Sequence, residues 1–224
     1  MTRKRMAVFV TIPVKRLDNA KSRLSPFLTD DERKQFCLKM LEDVLKTVKS
    51  TKSVNQTVVV TNDPEVFHIA KNFDTAYLRE RKSGLNEAVS EAIGWCIEKG
   101  ATSVLVLPAD IPLVTPTDLD RMLALREKAS MVISPSRTGK GTNALLLTPP
   151  NACPTFYGPC SFQRHLEEAS KRRISFYMFE SQRIALDIDK IKDLTDFVLM
   201  NARETSAYKL LDKIGIPSKL VHVK

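Results

Sequence analysis

The stretch SVLVLPADIP, residues 103–112, does most to decide the fold of this 224-residue chain. Its first five residues form a continuous apolar run, which is typical of a strand buried on both faces of a parallel sheet. Two prolines then end the strand and stiffen a turn around one acidic residue, Asp110. Because open parallel sheets bind ligands beyond the carboxyl ends of their strands, Asp110 stands where chemistry is expected.

Apolar runs separated by helical patterns precede this stretch. Thr29 and Glu32 form a capping box, after which apolar residues recur at helical spacing as far as Val48. The other elements predicted in the first half are strands over residues 7–12, 57–61 and 75–78, and helices over residues 65–71 and 85–97. Strands that alternate with helices in this way predict an α/β fold with a mostly parallel sheet and helices on both faces.

The second half of the chain alternates less regularly. A proline-rich loop over residues 149–159 precedes a helix that begins near Ser161. The other predicted elements are strands over residues 131–134, 143–148, 174–179 and 183–188, and helices over residues 117–128, 191–201 and 205–213. Since no internal repeat, linker or low-complexity stretch divides the sequence, we predict a single domain over residues 1–224.

Composition restricts the class of function. The hydrophobic fraction of 43% is enough for a full core, and the formal net charge of +9 favours either nucleic acid or small anionic ligands. The positive charge is spread along the chain, and the clusters Arg3-Lys4-Arg5 and Lys171-Arg172-Arg173 are short. This distribution favours small phosphorylated ligands over nucleic acid.

Cysteine spacing and hydropathy exclude further classes. The four cysteines include no Cys-x-x-Cys pair, which argues against a structural zinc site. The apolar N-terminal run is too short for a signal sequence, and no stretch is long enough to span a membrane. We therefore expect a cytoplasmic protein with neither membrane nor nucleic acid as a partner.

A basic loop follows the first predicted strand. The segment PVKRLDNAKSRL, residues 13–24, places four cations, among them Lys15, Lys21 and Arg23, within nine residues. Cations at this edge would clamp a triphosphate and neutralise its charge during transfer. The chain contains neither a Walker G-x-x-x-x-G-K-[ST] motif nor a G-x-G-x-x-G motif. The alternative is an ordinary solvated surface loop.

A second acidic element, Asp187-Ile188-Asp189, joins Asp110 as a candidate metal site. In an extended chain Asp187 and Asp189 share one face, while Leu186 and Ile188 point to the core. Carboxylates with open positions suit Mg²⁺, and two such ions would bridge the attacking and leaving oxygens of a displacement. Alternatively, Asp110 is a turn residue and Asp189 is the N-cap of the following helix.

Two polar loops of the second half are candidate anion sites. Thr142 follows Gly139-Lys140-Gly141, and Ser161 follows a Gly-Pro turn at the start of a predicted helix. Hydroxyls and free backbone N–H groups at these positions would hold a phosphate or a carboxylate. Ser161 alternatively serves only as an N-cap, and His165 is expected to be a packed helix residue, not a catalyst.

Taken in order along nearly the whole chain, these segments resemble the archaeal form of the CofC family, the 2-phospho-L-lactate guanylyltransferases of coenzyme F-420 biosynthesis. The segments that carry the resemblance are PVK (residues 13–15), AKSRL (20–24), GLN (84–86), LPADIP (107–112), GTNAL (141–145), YGPCSF (157–162), His165 and DID (187–189). The resemblance implies a three-layer, Rossmann-like α/β sandwich similar to the nucleotide-diphospho-sugar transferases. Those relatives carry a glycine-rich loop after strand one, where this chain has its basic loop.

The resemblance also implies an activity, partners and a site. GTP and a phosphorylated three-carbon acid would give a guanylylated acid and pyrophosphate, with Mg²⁺ as the cofactor and a homodimer as the assembly. The implied metal ligands are Asp110, Asp187 and Asp189, and the implied catalytic residues are Lys15, Lys21, Arg23 and Asp110. The implied nucleotide contacts are Lys15, Lys21, Arg23, Gly84, Leu85 and Asn86, and the implied acid contacts are Thr142, Asn143, Gly158 and Ser161.

Two other functions remain open from the residues alone. One is a nucleotidyltransferase of the same fold that acts on a molybdopterin or sugar acceptor, although the seven glycines of the chain include no glycine-rich first loop. The other is a basic nucleic-acid-binding protein, which the charge suggests but no RNA-binding aromatic motif supports. The residues are compatible with phospholactate, phosphoenolpyruvate or 3-phosphoglycerate as the acceptor, and with bases other than guanine.

Overall fold

The computed structural model describes residues 6–81, 84–200 and 202–221, and the basic cluster Arg3-Lys4-Arg5 lies outside them. Within these ranges the apolar runs become strands of one sheet, in the order β3-β2-β1-β4-β6-β5-β7. The strands are β1 (Val8–Pro13), β2 (Gln56–Val60), β3 (Ala76–Leu78), β4 (Ser103–Val106), β5 (Met131–Pro135), β6 (Thr142–Leu147) and β7 (Phe176–Met178). Strand β6 runs antiparallel to both of its neighbours, and the other paired strands are parallel. The mostly parallel sheet is therefore confirmed.

Helices connect the strands and follow the last of them. Helix α1 begins after Thr29, whose side chain accepts from the backbone of Glu32, so the predicted capping box is present. The helices are α1 (Asp30–Ser50), α2 (Pro64–Asn72), α3 (Leu85–Glu98), α4 (Pro116–Ala124), α5 (Ser161–Lys171), α6 (Gln182–Ala185), α7 (Ile191–Leu199), α8 (Ser206–Lys213) and α9 (Ile216–Val221).

Apolar side chains on the two faces of the sheet form two separate cores. Along β1, Val10 and Ile12 face the core made with α1, α2 and α4, whereas Phe9 faces the core made with α3 and α5. This alternation follows from the two-residue period of a strand. The layers are thus helix, sheet and helix, as predicted.

A third core joins the C-terminal helices to α1. Phe36 and Met40 on the outer side of α1 pack with Phe197 of α7 and Leu211 of α8. Phe36 and Phe197 meet edge to face with 6.3 Å between ring centroids. Helix α9, which the sequence analysis did not predict, closes this cluster through Ile216.

The prediction of a strand over residues 183–188 was wrong. These residues begin in helix α6, where the Ser181 hydroxyl accepts from the Ile184 backbone, and then continue as an irregular extended segment. Arg183 donates to Asp118 of α4 at 2.6 and 3.0 Å, which holds the helical turn against the body of the protein. Leu186 and Ile188 both pack into a core formed by helices. The two-residue apolar period that predicted a strand is therefore present, but the segment does not pair with the sheet.

The antiparallel direction of β6 brings the start of this strand to the carboxyl edge of the parallel strands. Its register pairs Leu145 with Val106, so Thr142, three residues earlier, lies beyond the end of β4. Because β6 is antiparallel, its first residues reach the same edge as the last residues of β1 and β4. Thr142 is therefore brought to the turn that contains Asp110. No helix in the described part of the chain is both long and apolar enough to cross a membrane.

Candidate active site

The carboxyl edge of the sheet carries a cleft with two adjoining compartments. The larger, of about 580 Å³, is lined by the predicted residues Lys15, Lys21, Leu85 and Asp110, among others. The smaller, of about 340 Å³, is lined by residues that include Arg23, Gly158 and Ser161. The residues that line both compartments are Thr142, Asn143, Tyr157, Asp187 and Asp189. Segments distant in sequence thus meet at one cleft.

Two of the predicted nucleotide contacts, Gly84 and Asn86, line neither compartment of the cleft. Gly84 precedes α3 with a φ of 133°, a conformation that L side chains rarely adopt. The Asn86 side chain accepts from the Tyr157 backbone N–H at 2.6 Å and donates to the Tyr157 carbonyl at 3.0 Å. Asn86 therefore holds the loop that precedes α5, a role that the sequence analysis did not foresee.

Lys21 forms the centre of an ion-pair cluster. Its Nζ lies 2.6 Å from Asp110 Oδ2 and 3.7 Å from Asp189 Oδ1, and Arg23 Nη1 lies 2.5 Å from Asp189 Oδ2. Burial opposes the charge of Lys21, but the charge of Asp110, the hydrogen bond to it and the charge of Asp189 outweigh burial and raise the Lys21 pKa. Lys21 thus stays charged within the cleft. Its backbone is left-handed, with a φ of 53°, which is uncommon for a residue other than glycine.

Two buried charged residues hold the basic loop in place, and sequence reasoning missed both. Arg33 of α1 donates from Nε to the Ala20 carbonyl at 3.1 Å and from Nη1 to the Leu28 carbonyl at 3.0 Å. Asp63 accepts the Leu17 backbone N–H at 3.0 Å with one carboxylate oxygen and caps α2 with the other. The Asp-Pro pair at the start of α2 is a sequence signal for this cap, although not for the bond to the loop.

The Asp187 side chain is set by its neighbour Asn143. Asn143 Nδ2 donates to Asp187 Oδ1 at 3.0 Å and also to the Ile184 carbonyl at 2.8 Å. Burial raises the pKa of Asp187, the nearby charge of Asp110 adds to that rise, and the bond from Asn143 partly offsets it. The raised pKa of Asp187 therefore reflects mainly its burial, with a smaller contribution from the charge of Asp110.

The predicted alternation around Asp187 is confirmed. Leu186 and Ile188 are 2% and 0% exposed, whereas Asp187 and Asp189 line the cleft. The alternative role of Asp189 as a helix cap was wrong, because Lys190 holds the N-cap position of α7 and Asp189 pairs with cations.

The carboxylates fit a metal ion that arrives with phosphates better than one held by protein alone. Among the described residues, no three His, Cys, Asp or Glu side chains are arranged as a preformed metal centre. Mg²⁺ is usually bound by one or two carboxylates together with substrate phosphates and waters. Asp110, Asp187 and Asp189 at one cleft supply this type of incomplete ligand set.

Buried hydroxyls form one wall of the smaller compartment. The Ser161 hydroxyl accepts the Thr142 backbone N–H at 2.9 Å, and Thr142 Oγ1 lies 3.1 Å from His165 Nδ1. Ser161 is the first residue of α5, and the N-cap position belongs to Cys160, so the N-cap alternative for Ser161 was wrong. The predicted pair Thr142 and Ser161 is in direct contact.

The comparison with known families decides the identity. A family model described as "Guanylyl transferase CofC like" matches residues 8–223. The chain belongs to the CofC family. The predicted enzyme class, a nucleotidyltransferase of the guanylyltransferase type, is thereby confirmed.

Two CofC-family relatives illustrate the similarity. The phosphoenolpyruvate guanylyltransferase of Rubrobacter xylanophilus is 40% identical over 190 residues, which cover 84% of this chain and 92% of the relative. The 2-phospho-L-lactate guanylyltransferase of Methanocaldococcus jannaschii is 34% identical over 214 residues, which cover 95% of this chain and 92% of the relative.

The fold of this chain also matches that of solved structures. A putative nucleotide-diphospho-sugar transferase from Desulfovibrio desulfuricans superimposes with a TM-score of 0.78 at 16% identity, over 96% of this chain and 99% of that chain. The predicted similarity in fold to the nucleotide-diphospho-sugar transferases is therefore confirmed.

Proposed function

We propose that the protein transfers the guanylyl group of GTP to 2-phospho-L-lactate or phosphoenolpyruvate and releases pyrophosphate, as a step in coenzyme F-420 biosynthesis. The observation that carries this proposal is the position of Asp187 and Asp189, which line both compartments of the cleft. Transfer between two bound substrates needs its reacting groups at such a junction. The names of the two relatives support the nucleotide and the class of acid.

The larger compartment is the one that we assign to GTP. Its volume of about 580 Å³ is within the range usual for pockets that hold ligands of nucleotide size. Lys15 and Lys21 line it, and their charges would neutralise the triphosphate. Leu85 at the start of α3 provides an apolar contact for the base.

The smaller compartment is the one that we assign to the acid. Its volume of about 340 Å³ accommodates a three-carbon acid, and polar side chains make up much of its lining. The hydroxyls of Thr142 and Ser161, together with the Gly158 backbone, would bind the carboxylate. Arg23 lines the same space, where its guanidinium would contact the phosphate that must reach GTP.

The chemistry that we propose is an in-line displacement at the α-phosphorus of GTP. The acceptor phosphate is mostly dianionic at neutral pH, since its second pKa is about 6, and it attacks without a general base. His165 does not contradict this mechanism, because burial lowers its pKa to about 4, which makes it a weak base, and its Nε2 already accepts the Phe156 backbone N–H. The residues contribute by positioning the two substrates and by stabilising the negative charge of the leaving pyrophosphate.

Mg²⁺ is the cofactor that we propose, with Asp110, Asp187 and Asp189 as its ligands from the protein. When bound, the ion would neutralise the triphosphate and act as a Lewis acid at the transferred phosphoryl group. Lys21 contacts Asp110 and Asp189, so its ammonium group would lie beside the metal ion that these carboxylates hold. A homodimeric assembly, a cytoplasmic location and the absence of nucleic-acid and membrane partners stay predictions.

A matrix of substrates tests the proposed function. We expect the purified protein to release pyrophosphate with GTP and Mg²⁺ when phospholactate or phosphoenolpyruvate is present, and not when either substrate is omitted. 3-Phosphoglycerate and the other nucleoside triphosphates are the comparison substrates. Turnover with a molybdopterin or a sugar phosphate, but with neither acid, would overturn the assignment of the smaller compartment.

The two hydroxyls of the smaller compartment should affect the acid more than GTP. We expect Ser161→Ala and Thr142→Val to raise the acid KM by roughly ten- to a hundredfold, since a hydrogen bond to a charged group contributes about 1.5–3 kcal/mol. Steady-state kinetics with each substrate varied separately checks this result, together with GTP titration without acid. Equal effects on both substrates would mean that the two loops shape the whole cleft.

Stability provides the control for these variants. Ser161→Ala leaves the buried Thr142 backbone N–H without its partner, so its melting temperature should fall. Thr142→Val keeps this N–H and its bond to Ser161. Thr142→Val does remove the Oγ1 partner of His165 Nδ1, so an acid-specific effect in this variant reports on binding when its melting temperature is unchanged.

A further inference from the structure

His165 is a buried polar residue that contacts Thr142 of the acid compartment and the loop that leads into its other wall. Its side chain belongs to α5 and is 0% exposed. Nδ1 lies 3.1 Å from Thr142 Oγ1, at the start of β6. Nε2 accepts the backbone N–H of Phe156 at 2.9 Å, in the loop before α5. The imidazole thus links a strand, a helix and a loop.

These partners fix which ring nitrogen carries the proton. Nε2 accepts from a backbone N–H, so it holds no hydrogen, and a neutral imidazole must then be protonated at Nδ1. Burial, with a further contribution from the charge of Arg164, outweighs the hydrogen bond of the ring to the Ser161 backbone and lowers the pKa of His165 to about 4, so the ring is neutral at physiological pH. Nδ1 therefore donates toward the Thr142 hydroxyl oxygen.

The direction of this bond determines what Thr142 can offer to a ligand. A hydroxyl has one hydrogen, and its oxygen accepts from Nδ1, so its own O–H must point to another acceptor. Thr142 lines the cleft, where an anionic substrate would supply that acceptor. The opposite tautomer of His165 would accept the Thr142 hydrogen and remove the donor from the cleft.

The second contact of the ring holds the loop that forms the other wall. Phe156 is bound by His165, and the next residue, Tyr157, is bound on both backbone atoms by Asn86. The following residue is Gly158, which lines the acid compartment with a φ of 120°. The position of its backbone thus depends on contacts that begin at His165.

We propose that His165 is a positioning residue for the acid substrate. It holds the Thr142 hydroxyl as a hydrogen-bond donor toward the substrate carboxylate and holds the loop of residues 156–158 against α5. This inference rests on the proposed function, because it assigns the carboxylate to the smaller compartment. His165 takes no part in bond making or proton transfer.

Two variants separate the two contacts of the ring. In His165→Gln, the side-chain oxygen can take the place of Nε2 and accept from Phe156, whereas the donor to Thr142 is lost. In His165→Asn, the amide N–H can take the place of Nδ1 and keep the donor, whereas the bond to Phe156 is lost. We expect the acid KM to rise by about tenfold in His165→Gln, equivalent to about 1.4 kcal/mol, and less in His165→Asn, with the GTP KM unchanged in both.

A double-mutant cycle tests that His165 acts through Thr142. If both residues serve one hydrogen bond, His165→Gln should add little to the acid KM in the Thr142→Val background. Additive effects, or an unchanged acid KM in a folded His165→Gln protein, would overturn the proposal. A merely structural histidine would lower stability and turnover without this dependence on Thr142.

The tautomer can be measured in the unmodified protein, independently of folding of the variants. With ¹⁵N-labelled histidine at pH 7, the NMR shifts of His165 should identify Nδ1 as protonated and Nε2 as unprotonated. The opposite tautomer, or a charged ring, would overturn the proposal whatever the kinetics. Failure of the wild-type protein to use any phosphorylated acid would instead contradict the proposed function, so the two failures are distinguishable.

Discussion

We expect Asp110→Asn and Asp187→Asn to abolish guanylyl transfer while the protein remains folded. Each substitution keeps the shape of the side chain and removes one negative charge from the edge of the cleft where Mg²⁺ and the triphosphate would meet. A loss of at least about a thousandfold corresponds to about 4 kcal/mol of transition-state stabilisation, at about 1.4 kcal/mol for each factor of ten. Mg²⁺-dependent pyrophosphate release is the measurement.

The structure indicates why the fold should tolerate the change at Asp187. The pKa of Asp187 is raised, first by burial and then by the charge of Asp110, so its ionised form is less favourable in the folded protein than in the unfolded chain. Removing that charge therefore relieves a cost that is present at neutral pH and disappears as the pH falls below the pKa of Asp187. Asp187→Asn should keep or raise the melting temperature at pH 7.

A surface substitution completes the comparison. Asp212 is an exposed residue of α8, and Asp212→Asn removes the same charge outside the cleft. We expect near-normal activity in this variant. If Asp110→Asn or Asp187→Asn also retained near-normal Mg²⁺-dependent activity, the assignment of the metal ligands would be wrong.

The second large effect is expected at the basic loop. Lys21→Ala should lower turnover or raise the GTP requirement by one to several powers of ten, with each tenfold equal to about 1.4 kcal/mol. Its side chain is only 11% exposed and pairs with Asp110, so its charge acts where water screens it least. Steady-state kinetics with GTP varied measures the effect.

Arg23→Ala should have the smaller effect of the two. Its side chain is 65% exposed, and solvent weakens an exposed charge. Lys213→Ala, at an exposed position of α8, is the control for the loss of a positive charge. Unchanged kinetics in both Lys21→Ala and Arg23→Ala would contradict a role for the loop in catalysis. The alternative interpretation, an ordinary surface loop, would then hold.

Local and periodic features of the structure were predictable from the sequence. The capping box of α1 needs only Thr29 and Glu32 at the right spacing, and the buried strands need only continuous apolar runs. The alternation around Asp187 was also predicted, because it depends on neighbours one residue apart. The same alternation led to a wrong strand, since a helical core accepts Leu186 and Ile188 as well as a sheet would.

The residues that hold the site together were harder to predict. Arg33, Asp63, Asn86 and His165 act through hydrogen bonds to backbone groups or side chains of other segments. Such bonds have no sequence period, and many arginines, asparagines and histidines lie on surfaces. The pairing of Lys21 with Asp110 likewise depends on sheet order, which becomes visible only when the strands are assembled.

The long sequence separation within the ion-pair cluster has a consequence for biosynthesis. Arg23 and Asp189 are 166 residues apart, so a ribosome adding about 5–20 residues per second exposes Arg23 roughly 8–33 s before its partner is made. The last strand, β7, ends at Met178, before the acidic segment is translated. The nascent chain can therefore contain every strand of the sheet while its basic loop still lacks Asp189. The ion-pair cluster is therefore completed only after the last strand has been translated.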